Sequence, residues 1–553
     1  MMTLQEKQNA WLLCPAMPEE LLSQLRSMDA ETLNDCFYRD LAFGTGGLRG
    51  VLGAGTNRMN LFTVMKATRG LGSYLLENFP SPSCAVSYDS RIHSMDFAKL
   101  AAAVLAEMGI RVWIYPLLSP TPMLSFAVRH LAASAGVMIT ASHNPAKFNG
   151  YKVYGSDGCQ ITLEAAALIQ DQIARQPDLQ DTIPSFDGYL AADMIRYIGK
   201  DTVEAYYASV MRLRTSPSDY PLHVVYSPLN GTGNLPVREI LRRLGSIHVD
   251  IVPEQELPDG DFPTCPYPNP EIREAMNLAI AKTVSTGADL CFATDPDCDR
   301  MGAGVRVGKD VKLISGNDMG ILMLDYLCRT AKRNTGLPPV VVKTIVTTEM
   351  ASALCRKYGL ELRNVLTGFK YIGEQIGLLE ADGHADRFLF GFEESYGYLS
   401  GTDVRDKDAV NAVILLCDMA ADLKSRGLTL LDRLAELRAE FGLYVQRLLT
   451  YQYEGENGAL QMQKIMERLR SPLETFEDNR LRQAVRTDYQ NDDTGLPKSD
   501  VLSFRLDGSD QFIVRPSGTE PKLKAYLFTR ADSEAQAEEN LDRLQSLVDQ
   551  LCR

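Results

Sequence analysis

Val137-Met-Ile-Thr-Ala-Ser-His-Asn-Pro-Ala-Lys-Phe-Asn-Gly-Tyr-Lys152 passes within a few residues from an apolar run into a loop crowded with polar groups. The run ending at Ile139 reads as a buried strand, and in open α/β sheets ligands gather beyond the carboxyl ends of such strands. The loop offers a hydroxyl at Ser142, a proton carrier at His143 and cations at Lys147 and Lys152. The hydrolase elbow G-x-S-x-G is absent, because Thr140 and Asn144 stand where it needs glycine, so acyl transfer fails as a reading. A Ser/Asn/Pro turn that only caps the strand is the plain alternative.

Outward from this loop the same alternation of strand-like runs and amphipathic stretches covers most of the chain, which predicts α/β architecture. Strands are expected at Ala85–Tyr88, Val112–Tyr115, Val137–Thr140, His223–Tyr226, Leu290–Ala293, Val340–Thr344, Arg387–Phe390 and Phe512–Val514. Helices are expected at Met95–Met108, Pro236–Leu244, Glu271–Val284, Asp318–Thr330 and Asp408–Lys424. Breaks near Ser216–Pro221, Pro258–Pro270 and Asp488–Lys498 read as boundaries or surface loops. The last segment differs: a helix near Leu460–Leu469, strands around 501–528 and a charged helix from Ser533 to Leu551 suggest a small α+β domain.

The 553 residues leave room for several domains, and 45% hydrophobic with 23% charged content is that of a globular chain. Lys plus Arg number 57 and Asp plus Glu 71, a net charge of −14. That argues against nucleic acid or an anionic membrane as partner, while a few local cations can still hold a small phosphorylated ligand. Eleven scattered cysteines, an odd number with no CxxC pair, point to reduced thiols and a cytoplasmic protein. The start, MMTLQEKQNAW, has no secretory pattern. The uncharged stretch Val112–Val128 carries Pro116, Pro120 and Pro122, which argue against a membrane helix.

Three more loops follow strands. In Asp295-Pro-Asp-Cys-Asp-Arg300 the i, i+2, i+4 carboxylates project to one side and can converge on a hard cation. Arg300 and Arg306 stand where an EF-hand needs Gly and Glu, so the preferred reading is Mg²⁺ held by few protein oxygens plus a phosphate; the alternative is a solvated acidic loop. Gly391-Phe-Glu-Glu-Ser-Tyr-Gly397 suits hydrogen bonding to sugar hydroxyls, or else a helix N-cap. Arg515-Pro-Ser-Gly-Thr-Glu-Pro-Lys522 has the Arg, hydroxyls and Gly of a phosphate cradle. Phe43-Gly-Thr-Gly-Gly-Leu-Arg-Gly50 is like a phosphate loop but fits neither G-x-G-x-x-G nor a Walker A, and Tyr88-Asp-Ser-Arg91 reads as a turn. His130, His223 and His248 read as structural.

Taken together, Thr140-Ala-Ser-His-Asn-Pro, Asp295-Pro-Asp-Cys-Asp-Arg, Gly391-Phe-Glu-Glu-Ser and Arg515-Pro-Ser-Gly-Thr-Glu-Pro resemble the α-D-phosphohexomutase superfamily of phosphoglucomutases and phosphomannomutases. Thr367-Gly-Phe-Lys370 and Glu393-Glu-Ser395 are similar to its bacterial phospho-sugar mutase branch. Cys298 and Phe392 depart from it, standing where many relatives carry Gly. The resemblance implies three related α/β domains with mixed sheets and a smaller C-terminal α+β domain around a central cleft. With the breaks above, the domains are expected at 1–208, 209–318, 319–438 and 439–553. It implies a phosphorylated Ser142 as carrier, with Mg²⁺ held by Asp295, Asp297, Asp299 and that serine. His143, Lys152 and Arg300 match positions for proton transfer or charge stabilisation. Substrate contacts are implied for Thr45, Arg49, Arg91, Lys370, Glu393 and Ser395, and for the cradle Arg515, Ser517, Gly518 and Thr519.

The implied reaction interconverts glucose 1-phosphate and glucose 6-phosphate, with glucose 1,6-bisphosphate as intermediate and activator, in a monomer or dimer whose partners are small phosphorylated sugars. The parts make physical sense. Moving phosphate between two ends of one sugar needs a covalent carrier, a cation beside it and a distant grip for the second phosphate. Phosphomannomutase and phosphopentomutase remain alternatives, and a metal-dependent phosphatase using the same serine is more remote.

Overall fold

The computed structural model describes residues 3–44, 46–332, 336–453, 455–506, 508–517 and 522–552. Strands β1 (Leu48–Val51), β2 (Ser83–Tyr88), β3 (Arg111–Ile114), β4 (Ala135–Ile139), β5 (Phe148–Gly155) and β6 (Ile195–Tyr197) form a mixed sheet in the order β1-β5-β4-β2-β3-β6. β4, β2, β3 and β6 run parallel, whereas β5 is antiparallel to both β4 and β1. Every residue of β2 and β4 is buried. Alternate residues serve two faces: Val86, Val137 and Ile139 join Phe97, Ala101 and Val104 of the helix Ser94–Glu107. Ala85 and Met138 meet Leu124 and Val128 of the helix Thr121–His130. A strand covered on both faces has few polar positions to spare, which is why β4 reads as a continuous apolar run and β2 admits only the small buried Ser83 and Ser87.

The second sheet contains β7 (Leu222–Ser227), β8 (Ile247–Ile251), β9 (Leu290–Thr294), β10 (Met301–Val307) and β11 (Asp310–Ile314), ordered β11-β10-β9-β7-β8. β8, β7 and β9 are parallel, and β9 turns back as antiparallel β10 across the acidic loop. A third α/β set follows: β12 (Val340–Thr344), β13 (Glu361–Val365), β14 (Phe388–Glu393) and β15 (Gly397–Leu399), with β14 and β15 pairing antiparallel. After it comes the helix Ala409–Ser425, almost wholly buried and capped by Asp408, whose Oδ1 accepts from Asn411 N at 2.9 Å.

β16 (Leu443–Gln452), β17 (Val485–Asp488), β18 (Leu502–Arg505), β19 (Gln511–Pro516) and β20 (Lys522–Ala531) form an antiparallel sheet ordered β16-β20-β19-β18-β17. Leu541, Leu544, Leu547 and Val548 of the last helix, Glu534–Cys552, pack with Phe504, Phe512, Val514 and Leu527 of this sheet. Val346 joins Val501, Ile513, Tyr526 and Phe528 in a separate apolar cluster. The chain divides into two compact units, one of Met1–Val340 with Phe369–Gly427, the other of Val341–Gly368 with Leu428–Arg553.

The sequence reading missed the three N-terminal helices, Leu4–Leu13, Glu19–Ser27 and Ala30–Phe37, which bring Trp11 edge-on to Phe37 and Phe62. It also placed Arg387 in a strand. That residue closes a 3₁₀ turn, and β14 runs on to Glu393, so the first glutamate belongs to the strand. Of the three prolines in 112–128, Pro116 and Pro120 precede the helix Thr121–His130 and Pro122 lies in its first turn, where a missing N–H costs nothing. No helix among the described residues is long and apolar enough to cross a membrane.

Candidate active site

The serine loop leaves β4 through Thr140, whose Oγ1 accepts from Ser142 N at 2.7 Å. Ser142 is buried and left-handed, at φ 52°, a conformation that a non-glycine residue adopts only when its surroundings impose it. Arg91 is the main restraint. Its guanidinium donates to the carbonyls of Pro145 at 3.0 Å, Phe148 at 3.1 Å, and Ser142 and Asn144. Asp89 Oδ1 holds the turn beneath by accepting from Arg91 N at 2.9 Å and Ser94 Oγ at 2.7 Å. Arg91 was expected to touch substrate. Its side chain is instead wholly buried, and the structure makes it the brace of the serine loop.

Ser142 Oγ donates to Asp295 Oδ2 at 2.8 Å and lies 3.1 Å from His143 Nδ1. The three aspartates are buried, and one ligand atom from each lies within 4.8 Å of the others. Asp295 Oδ1 accepts from the Asp299 and Arg300 amides at 3.1 and 2.9 Å. Asp297 Oδ2 accepts from Thr121 Oγ1 at 3.0 Å and Lys152 Nζ at 2.7 Å. Among the described residues no hydrogen-bond donor meets Asp297 Oδ1 or Asp299 Oδ1, although both atoms are buried. Two unserved carboxylate oxygens beside a third carboxylate are a fit for a hard cation and a poor fit for a solvated acidic loop. Cys298, at the bend between the ligands, has φ 53°. A glycine would suit that conformation better, and the fold accommodates the thiol nonetheless.

The electrostatics separate the groups. Burial and the Asp297 and Asp299 charges push Asp295 well above the usual carboxylate range. Burial also opposes ionisation of Asp297, but Lys152 outweighs it and holds the carboxyl well below that range. Burial followed by Arg300 and Arg49 drives the His143 imidazole well below its ordinary value, so it is neutral near pH 7. Lys152 is held above its usual value despite burial, by Asp297 and Asp299. Arg300 pairs with Glu271 at 3.0 Å.

Lys407 was not singled out from the sequence. Its buried Nζ sits 3.1 Å from Asp299 Oδ2 and 3.0 Å from Asp406 Oδ1. The charged triplet Asp406-Lys407-Asp408, set directly before the largely buried helix Ala409–Ser425, was the available signal, because charges there must be paired.

Glu393 is buried at the end of β14, with Arg300 and Lys407 as its nearby charges. The turn that carries Ser395 is fastened to the acidic loop: Met301 N donates to Tyr396 O at 3.1 Å and Arg300 bridges Gly397. It is a strand-to-strand turn, and no helix starts there among the described residues, so the N-cap alternative lapses. Arg49 Nη1 donates to Asn144 Oδ1 at 3.3 Å, at the rim of the serine loop. Lys370 lies in the first turn of the helix Phe369–Ala381, 4.9 Å above the Tyr371 ring, and burial lowers its pKa. In the other unit, Arg515 is the penultimate residue of β19 and Ser517 N donates to Lys522 O at 2.7 Å. Thr45, Gly518 and Thr519 lie outside the described residues.

One unit thus gathers a serine, a neutral histidine, three carboxylates and two buried lysines at the ends of α/β strands, the equipment of a phosphoryl-transfer enzyme. The chain matches the phosphoglucomutase/phosphomannomutase α/β/α domain I over residues 40–179, domain II over 203–308 and domain III over 315–441. It belongs to the phosphoglucomutase/phosphomannomutase family. It is 35% identical over 544 residues to a phosphoglucomutase of Staphylococcus epidermidis, covering 95% of this chain and 97% of that protein. The crystal structure of Paramecium parafusin, a phosphoglucomutase, superposes with a TM-score of 0.70 at 18% identity, covering 93% of this chain and 95% of that one. Aspergillus fumigatus N-acetylphosphoglucosamine mutase, solved with GlcNAc-6P and magnesium, shares the fold at TM-score 0.51 and 15% identity, covering 93% and 97%.

Proposed function

We propose that the protein is a phosphoglucomutase, a phosphoryl-transferring isomerase that interconverts glucose 1-phosphate and glucose 6-phosphate. The observation that carries this reading is the placement of Ser142 Oγ 2.8 Å from Asp295 within a buried aspartate triad, in a chain 35% identical to a phosphoglucomutase along most of its length. Ser142 carries the phosphate. On transfer, the serine O–P bond breaks and a sugar O–P bond forms. The hydroxyl proton passes to neutral His143, whose Nδ1 is within reach of the freed Ser142 Oγ and can return it there. The second half-reaction runs these steps backwards on the other phosphate of glucose 1,6-bisphosphate.

Asp295, Asp297 and Asp299, with the phosphorylated Ser142, would hold Mg²⁺, which when bound offsets charge on the phosphoryl group in flight. Lys152 and Arg300 add fixed positive charge beside the same loop, and Lys407 keeps Asp299 compensated. Arg91 acts through the loop it braces. Glu393 and Ser395 read sugar hydroxyls, joined by Arg49 and Lys370, while Arg515, Ser517, Gly518 and Thr519 grip the phosphate that is not in transit. The four expected domains, 1–208, 209–318, 319–438 and 439–553, supply these loops in turn. Eleven free cysteines and the absence of a membrane-spanning helix among the described residues suit a cytoplasmic protein.

A coupled assay with glucose, mannose and ribose 1-phosphates, each with its bisphosphate primer, tests the assignment. Glucose and mannose differ only at C2, and a buried polar group left unpaired there costs ~1–3 kcal/mol, about 5- to 150-fold. Glucose phosphate should lead in kcat/KM by roughly tenfold or more. A preference for mannose or ribose overturns the sugar while leaving the serine chemistry in place.

A further inference from the structure

We propose that His223, His248 and Asp250 form a second cation site, for a first-row divalent transition metal of the Zn²⁺ type, on the second sheet. β7 and β8 run parallel with His223 opposite His248, and Asp250 follows two residues later, on the same face of β8 as His248. The strand backbones therefore present all three side chains side by side. Asp250 Oδ2 lies 2.8 Å from His223 Nε2, and Asp250 Oδ1 lies 4.0 Å from His248 Nε2. The two imidazole centroids are 4.5 Å apart, and one donor atom from each of the three residues lies within 4.8 Å of the others.

Donors bound tetrahedrally at 2.0–2.1 Å from one ion stand about 3.3–3.4 Å from each other. The two nitrogen–oxygen separations, each to a different oxygen of Asp250, straddle that value, so closing on one ion needs side-chain shifts. His248, whose side chain is 70% exposed, is free to make them and leaves the remaining position open to water. Two imidazoles and one carboxylate favour zinc, cobalt or nickel over magnesium, which prefers oxygen alone.

The cluster is separate from the reaction centre. Val224, next to His223, pairs with Leu290 of β9, and Asp295 follows five residues further along at about 3.3 Å per residue. The site thus sits towards the opposite end of the sheet from the acidic loop. Nearby cations set a counterweight: Lys282 interacts with Asp250, and Lys424 pairs at 2.7 Å with Asp289, which also accepts from His223 N. Since β8 is the last strand of its sheet, an ion held by both strands would pin that edge to β7. The competing description is an ordinary His–Asp pair that binds nothing.

The test is calorimetric titration of Zn²⁺ into the full chain, stripped by chelator and returned to excess Mg²⁺. The wild type is set beside His248→Ala and Asp250→Asn, with circular dichroism to confirm folding. Both variants should bind one Zn²⁺ equivalent fewer, or bind it at least about tenfold more weakly. Co²⁺ should give the wild type ligand-field absorption that His248→Ala lacks. Equal Zn²⁺ stoichiometry and affinity in all three proteins, or Co²⁺ bands that survive in His248→Ala, would overturn the site.

Discussion

Ser142→Ala separates the carrier role from the structural role of one hydroxyl. The Oγ is buried and donates to Asp295 Oδ2 at 2.8 Å, so its loss leaves a carboxylate oxygen without that donor beside two further carboxylates. A hydrogen bond to a charged group contributes about 1.5–3 kcal/mol. Burial already pushes Asp295 towards the protonated form, in which the lost bond matters less, so the lower end of that range applies. In a unit of this size such a change moves the melting temperature by at most a few degrees. Activity should respond on another scale, because without Oγ no covalent carrier remains. The assay couples glucose 6-phosphate formation to a dehydrogenase, with a second arm following phosphate incorporated from labelled glucose 1,6-bisphosphate. Turnover above about 1% of wild type in a variant that melts normally, or undiminished labelling, would refute the assignment of Ser142; loss of more than about 5 kcal/mol would refute the energetic argument.

Chelation by EDTA should silence the enzyme and Mg²⁺ restore it, while Asp297→Asn should lower kcat and raise the Mg²⁺ needed for half-maximal rate by about tenfold or more; full turnover after exhaustive chelation would show the cation to be dispensable. Lys407→Met leaves Asp299 and Asp406 without the cation they share, and urea unfolding should show a loss of about 3–5 kcal/mol, whereas a loss below ~1 kcal/mol would mean that the carboxylates find other compensation. The unfolded chain protonates His143 near the ordinary imidazole value of 6.5 while the folded chain resists, so its contribution is complete above that pH and declines as pH falls towards the lower folded value. Urea midpoints at pH 5 and pH 7.5 should therefore differ less in His143→Asn than in the wild type.

Much of the first unit was legible because its strands are covered on both faces. Val137–Ile139 and Leu290–Ala293 admit no polar residue, and Ala85–Tyr88 only the buried Ser87, so each stands out and points to the loop behind it. The carboxylates at 295, 297 and 299 were equally readable, since their period of two is local geometry. What lay hidden depended on contacts distant in sequence. Arg91 looked like part of a turn until its guanidinium was found on carbonyls more than fifty residues away. Lys407 acquires its meaning from Asp299, and His223 from Asp250; no window of sequence contains either pair. The N-terminal helices are only 8 to 10 residues long, and Leu4–Leu13 has no one-sided apolar face and buries little beyond Trp11 and Gln8.

The second compact unit is assembled from two separated stretches of chain, and that arrangement constrains how the protein can be made. Val346 leaves the ribosome 155 to 182 residues before Val501, Ile513, Tyr526 and Phe528, the side chains it packs against. At 5–20 residues per second, that is a wait of roughly 8–36 s for the partners of the early stretch. During it Ile345 and Val346, just past the end of β12, lack the apolar partners of the last sheet, while β12 itself can pair with β13 as soon as residue 365 has emerged. The serine loop and the aspartate loop, by contrast, both emerge before residue 340. Translation therefore delivers the chemical groups early and leaves the completion of the second core to the last fifty residues, so a ribosome that stalls late strands the middle of the molecule as well as its end.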